Sequence, residues 1–193
     1  MDYDAYWRKY GLKKRMAGPK GKKRPVCSAV VDYAHIDRFH MREALIQALQ
    51  AGKRGEVPVG AVLCRKGKTL FFAENQVEER ASGLCHAEMI ALKAGGDLLG
   101  RRLSDCTLYV TMEPCSMCAG AMINARLGRL VYGTADPERG ACGSMVDVLS
   151  PRANLWKIRV RSGVLEEPCR ALIRLFFQSR REKKPFDLPV RRP

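Results

Sequence analysis

The chain has 193 residues, 46% of them hydrophobic, with 35 Lys and Arg against 20 Asp and Glu and a formal charge of +15. That length fits one domain with room for tails. No apolar run reaches the ~18 residues needed to cross a bilayer, and the N-terminus, with its early Asp2 and Asp4, carries neither a signal-peptide nor a transit-peptide pattern, so the cytoplasm is the expected compartment. The excess charge sits on the ends, net +7 over residues 1–25 and +6 over 170–193, with only +2 between them; such ends either attract a polyanion, nucleic acid above all, or simply keep the surface soluble.

Residues 1–34 read as a basic arm, because Lys, Arg, Gly and Pro dominate from Gly11 to Pro25 without apolar periodicity. Tyr3, Tyr6, Trp7 and Tyr10 precede that run, and can stack on bases or dock on the protein's own surface. Asp37 to Gly52 is expected to be a helix with Met41, Ala44, Leu45, Ala48 and Leu49 on one face. Val57–Arg65 and Lys68–Glu74 read as a hairpin around Gly67. Ala87–Ala94 is a short apolar helix stopped by Gly95-Gly96, Thr107–Met112 an alternating strand, Ser116–Arg126 a buried helix, Arg129–Gly133 a strand and Lys157–Val164 a fifth. Glu166 and Glu167 open a closing helix whose apolar face holds Cys169, Leu172, Ile173 and Phe176, with Pro168 in its first turn. The domain is thus expected over 35–184, with a basic tail at 185–193. This order predicts an α/β fold of three layers, with helices on both faces of one sheet.

Two short segments carry chemistry: His86-Ala87-Glu88 and Pro114-Cys115-Ser116-Met117-Cys118, each at an expected helix start. Helix N-termini lower thiolate pKa, and two cysteines three residues apart lie on one side of a turn, so Cys115 and Cys118 can share a metal. His86 supplies a third ligand and leaves a fourth position for water, the pattern of a catalytic zinc site. Glu88 is not needed as a ligand and is placed to act as general acid and base on that water, whose pKa zinc lowers to about 7. A lone C-x-x-C is also compatible with a redox pair or half a zinc ribbon, but no second C-x-x-C exists to close a ribbon. The other six cysteines, Cys27, Cys64, Cys85, Cys106, Cys142 and Cys169, read as reduced, mostly buried thiols.

Beyond these segments, the blocks Glu56–Val62, Asn75, Thr107–Ile123 and Gly133–Val148 resemble the bacterial tRNA-specific adenosine deaminases of the cytidine deaminase-like superfamily, from about Asp37 to Arg181. The resemblance implies a cytidine deaminase-like fold around a mixed five-stranded sheet. It implies one zinc ion per subunit on His86, Cys115 and Cys118, with Glu88 shuttling protons. It further implies that Asn75 hydrogen-bonds the base, that Val57 and Met112 line the base pocket with Glu113 beside it, that Asp136 contacts ribose, and that Phe176 and the basic residues after it approach the RNA. The implied substrate is adenosine at the first anticodon position, most often of an arginine tRNA, and the implied assembly a homodimer. Plainer readings stand beside these: Asn75 as a strand terminator, Val57 and Met112 as core, Asp136 as an Asx turn ahead of Pro137, Phe176 as a core face. Cys85, directly before His86, departs from the small residue usual there. Two further readings compete: a zinc deaminase of free bases or nucleosides, and a non-catalytic RNA-binding protein with a structural zinc.

Overall fold

The computed structural model describes residues 33–150 and 155–186; the expected arm up to residue 32 and tail from residue 187 lie outside the described residues. Helix α1 spans Tyr33–Lys53, strands β1 and β2 Gly60–Arg65 and Lys68–Glu74, and helix α2 Ala87–Leu99. Strand β3 (Cys106–Met112), helix α3 (Ser116–Asn124), strands β4 (Arg129–Thr134) and β5 (Arg159–Arg161), and helix α4 (Glu166–Arg181) follow. The strands form one sheet in the order β2-β1-β3-β4-β5. β1 is antiparallel to both β2 and β3, whereas β3, β4 and β5 run parallel, so the sheet is mixed.

Period-two alternation along the central strands sorts the core into two faces. Ala61, Leu63, Leu108, Val110, Leu130 and Tyr132 pack with α2 and α3. Val62, Cys64, Tyr109 and Val131 point the other way, against Met41, Ala44, Leu45, Ala48 and Leu49 of α1 and Cys169 and Leu172 of α4. The three expected layers are therefore present, with two helices on each face. No helix among the described residues is long and apolar enough to cross a membrane. All seven described cysteines are unpaired, and Cys64, Cys106, Cys118 and Cys169 are buried.

Three of the departures from the boundaries expected from sequence have a clear physical reason. β1 begins at Gly60, not Val57, because Pro58 has no N–H for a ladder; Val59 N–H instead turns back to the Val57 carbonyl at 2.7 Å. α2 runs through Gly95-Gly96. A Cβ at Gly95 would collide with Leu63, so the glycine lets the helix approach the sheet, and the stop comes at Gly100 (φ 81°), whose N–H bonds the Gly96 carbonyl at 2.8 Å. β5 is cut to three exposed residues, Arg159-Val160-Arg161, whose charges guard the sheet edge.

Asp37, expected near the start of α1, lies inside the helix, which begins at Tyr33, and is fully buried. Its carboxylate accepts both guanidinium N–H groups of Arg129 at 2.7 Å, one from Arg161 at 2.7 Å and the Tyr109 hydroxyl at 3.0 Å. One side chain thus ties α1 to β3, β4 and β5. Burial alone would raise the pKa of Asp37, but the hydrogen bonds and charges of Arg129, Tyr109 and Arg161 hold it below the ordinary 3.8. A group depressed in this way contributes stability that is present above its unfolded pKa and lost as pH falls through its folded one. Asp37→Asn should therefore cost about 3 kcal/mol in urea unfolding at pH 7, as breaking a buried ion pair does, and the gap between variant and parent should narrow below pH ~4.

Candidate active site

The cleft opens at the carboxyl ends of β3 and β4, where parallel sheets characteristically hold ligands. Met112 and Thr134 are register partners at those ends, and Glu113 N–H extends the ladder to the Thr134 carbonyl at 2.8 Å. Past β3 the chain turns through Pro114 into α3, with Cys115 as its extended N-cap residue (φ −74°, ψ 173°) and Cys118 one turn further. His86 holds the equivalent place before α2 (φ −67°, ψ 149°). Neither helix has a side-chain cap at its N-terminus, so both present backbone N–H groups and positive dipole ends to the cleft.

The three expected ligands meet. The His86 Nδ1 atom lies 3.7 Å from Cys115 Sγ and 3.6 Å from Cys118 Sγ, and the three donor atoms lie within 4.8 Å of one another. A tetrahedral zinc with bonds of about 2.3 Å to sulfur and 2.05 Å to nitrogen spaces those atoms by about 3.6 Å, so the donor set fits that ion in both chemistry and dimension. Hydrogen bonding from Cys118, together with His86, draws the Cys115 thiol down to about 3 despite burial, so it is a thiolate. The hydrogen bond to Cys115, with burial, pushes Cys118 up. The hydrogen bond that His86 donates to the Cys115 thiolate also raises the pKa of His86.

Glu88 lies in the first turn of α2, is 4% exposed and lines the cleft. Its Oε2 is buried without a hydrogen-bond partner among the described residues, and burial raises its pKa. A buried carboxyl group with one free oxygen beside a His-Cys-Cys cluster is equipped to take a proton and return it.

The cleft has a volume of about 540 Å³, and Val57, Asn75, Met112, Glu113 and Asp136 are among the residues that line it. Three of these also have structural work. Glu113 is buried and organises the loop that follows β4: its Oε1 accepts the N–H groups of Cys142 at 2.9 Å and Ser144 at 3.0 Å, and its Oε2 the Asp136 N–H at 3.1 Å and the Ser144 hydroxyl. Burial would raise its pKa, yet these donors, Ser144 first, hold it low. Gly140 packs against that carboxylate so closely that a Cβ would strike Glu113. Asp136 forms the Asx turn that the sequence left open, its Oδ1 accepting the N–H groups of Glu138 at 3.0 Å and Arg139 at 3.1 Å, while it still faces the cleft. Asn75 donates its Nδ2 to Glu56 at 3.0 Å.

Phe176, which the resemblance brings toward the RNA, lies inside the protein. It is 3% exposed and packs edge-on against Phe177 and Phe186, at 5.5 and 5.6 Å between ring centroids, on the core side of α4. Its neighbour Phe177, half exposed, lines the cleft together with Ile173. One residue along a helix is a turn of about 100°, and the apolar pair Phe176-Phe177 gives no sign of which ring faces in. Sequence reasoning also assigned no part to Glu56, although it opens the Glu56–Val62 block, and none to Arg139, the one basic side chain among the residues lining the cleft other than His86.

Residues 34–134 match the family model for the cytidine and deoxycytidylate deaminase zinc-binding region. The tRNA-specific adenosine deaminase of Bacillus subtilis is 40% identical over 149 residues, covering 77% of this chain and 92% of that protein. A solved structure from work on A-to-I editing by tRNA:A34 deaminases is 38% identical with a TM-score of 0.66, covering 69% of this chain and 97% of its own. A guanine deaminase from Nitrosomonas europaea superposes with a TM-score of 0.64 at 19% identity, over 81% of this chain and 98% of its own, which shows the shared fold alone. With its His-Cys-Cys cluster and cleft in the order that this family model spans, the chain belongs to the tRNA-specific adenosine deaminases of the cytidine and deoxycytidylate deaminase family.

Proposed function

We propose that this protein hydrolyses adenosine to inosine and ammonia at the first anticodon position of tRNA. The observation that carries the reading is the Glu88 carboxylate, one oxygen of which has no hydrogen-bond partner among the described residues, lining the same cleft as His86 and Cys115 of the convergent His86, Cys115 and Cys118 donor set. Those three residues hold zinc, which when bound supplies the Lewis acidity that makes water acidic near pH 7. Glu88 takes the proton of the attacking water, delivers it to the ring nitrogen of adenine, and then carries a proton to the departing amine, so that water's oxygen replaces nitrogen and ammonia leaves. Burial raises the pKa of Glu88, which favours its accepting the proton of the attacking water.

The target base enters as an extruded nucleotide, and an anticodon loop makes that extrusion cheap because its bases are already single-stranded. Val57 and Met112 offer apolar walls, Asn75 reads the edge of the base, and Asp136 meets the ribose while its Asx turn fixes the loop. Phe177, not Phe176, is the ring placed to stack on a neighbouring base. The basic segments at 1–34 and 185–193 flank a deaminase domain over 35–184 and add phosphate affinity. An arginine tRNA is the substrate this reading favours, and the cytoplasm the place of work. The protein acts as a homodimer: Leu84, Met145 and Val146, exposed apolar side chains in the loops beside the zinc ligands, are the surface such an assembly would bury.

Incubated with an arginine tRNA transcript bearing adenosine at the first anticodon position, the zinc-loaded protein should convert that one adenosine to inosine, read as A-to-G on sequencing. Absence of conversion with zinc bound would turn the reading to free bases and nucleosides. Glu88→Ala should lower turnover by roughly 10²–10⁴ while zinc content by mass spectrometry and tRNA binding by filter assay stay at the parent level; unchanged editing would refute the proton shuttle. Cys118→Ser should lose stoichiometric zinc, and the melting temperature should fall as it does when the parent is treated with a chelator. Removing residues 1–32 should weaken tRNA binding at low salt and flatten the slope of log Kd against log salt, with little change in turnover on a saturating anticodon stem-loop.

A further inference from the structure

Glu56 takes no part in the proton transfers above, yet it is one of the most deeply buried carboxylates in the cleft wall, at 1% exposure. Both of its oxygens are engaged. Oε2 accepts the Asn75 Nδ2 at 3.0 Å, and Oε1 accepts the Glu79 backbone N–H at 2.8 Å. Asn75 is anchored from the other side as well, its own N–H bonding the Val59 carbonyl at 3.0 Å.

An asparagine amide is nearly symmetric in shape, so packing alone does not decide which end is oxygen and which is nitrogen. A carboxylate decides it, because it offers only acceptors. With Glu56 as neighbour, the NH₂ must turn toward it; the flipped amide would set two oxygens against each other at the same 3.0 Å. Asn75 is itself buried and lines the cleft. What remains to meet a ligand is its carbonyl oxygen and its second N–H, always in the same order.

We infer that Glu56 is a positioning residue for base recognition: it locks the amide of Asn75 so that acceptor and donor face the purine in one order only. This rests on the reading that Asn75 meets the base. A base that matches that order gains both hydrogen bonds, and one that presents the reverse order leaves buried polar groups unpaired, a large penalty. Because Glu56 also holds the Glu79 N–H, the same carboxylate fixes the β2–α2 loop that brings Val77 and Glu78 to the cleft. Arg54 reinforces that loop by bridging Glu74 at 2.6 Å and Glu79 at 3.5 Å.

The test is a double-mutant cycle of Glu56→Gln, Asn75→Ala and the double variant on an adenosine-bearing anticodon stem-loop. It is read as kcat and KM, with zinc content and melting temperature measured for each protein. Glutamine keeps the volume, but with its oxygen held by the Glu79 N–H it turns its NH₂ toward Asn75 and removes the acceptor that fixes the amide. Glu56→Gln should lower kcat/KM about tenfold, mainly through KM, with zinc retained, and the double variant should be no worse than Asn75→Ala alone. Losses that add, or a Glu56→Gln protein that works like the parent, would overturn the inference. So would a loss that persists in the Asn75→Ala background and follows the melting temperature, because it would confine Glu56 to holding the Glu79 loop. The amide is also observable without substrate: the Asn75 side-chain NH₂ should give one sharp ¹⁵N–¹H pair with one proton shifted by the carboxylate, and Glu56→Gln should broaden or double it. Identical spectra in the two proteins would refute the locking whatever the substrate is. Intact locking in a parent protein that makes no inosine would instead refute the substrate reading and the base-recognition role built on it.

Discussion

The parallel pairing of β3 with β4 sets the geometry of the catalytic end. Their register brings Met112 level with Thr134, and one more backbone hydrogen bond, from Glu113 to Thr134, carries the pairing past the end of the strands. From that edge α3 starts immediately, so Cys115 and Cys118 are placed by the sheet and not by a loop. α2 packs on the same face and brings His86 to them from 29 residues upstream. Three donors of one ion therefore converge because two helix N-termini converge, and the positive ends of those helices favour the thiolate that ligation needs.

The cleft poses an electrostatic problem for a protein that acts on RNA. Its walls carry Glu56, Glu78, Glu88, Glu113, Asp136 and Glu138, with Arg139 as their basic counterpart. The structure eases this by engaging three of those six carboxylates internally. Glu56 is committed to Asn75 and Glu79, Glu113 to the loop from Asp136 to Ser144, and Asp136 to its own turn. Burial raises the pKa of Glu88, so it is less charged than an exposed glutamate. A purine base is neutral and can enter such a cavity, whereas phosphates cannot do so at comparable cost. The cations lie outside: an adjoining groove over α4, which shares Glu138, Ile173 and Phe177 with the cleft, carries Arg174 and Arg181. That distribution of charge suits the proposed binding of the base inside the cleft and the backbone outside it.

How legible this was from sequence depended on the distance between signal and cause. The helices, the strands and their three-layer order could be read from apolar spacing, because burial is what creates that spacing. The zinc ligands and Glu88 could be read because ligation demands particular atoms at particular separations, and His-x-Glu with Pro-Cys-x-x-Cys leaves few other uses. Less legible were features decided by tertiary contact. Gly95-Gly96 looked like a helix stop, but Gly95 is there to clear Leu63. Phe176 and Phe177 are equivalent in pattern and differ only by which side of α4 meets the core. Glu56 and Glu113 gave no local signal at all, since their partners lie 19 to 31 residues away. Asp136 was legible in both of its readings, and the structure shows that an Asx turn and a place in the cleft are compatible, because only one of its oxygens is taken by the turn.

The two ends of the sheet differ in how their polar groups are treated. At the catalytic end Glu88 has a buried oxygen with no partner among the described residues, a condition that costs about 1–3 kcal/mol. At the other end, where β4 begins, Asp37 is just as buried but has two arginines and a tyrosine around it. The first group is left unsatisfied where a substrate must supply what is missing, and the second is saturated where nothing needs to move. The stability of the domain and the reactivity of its cleft are therefore opposite uses of the same side-chain chemistry, separated by the length of β4.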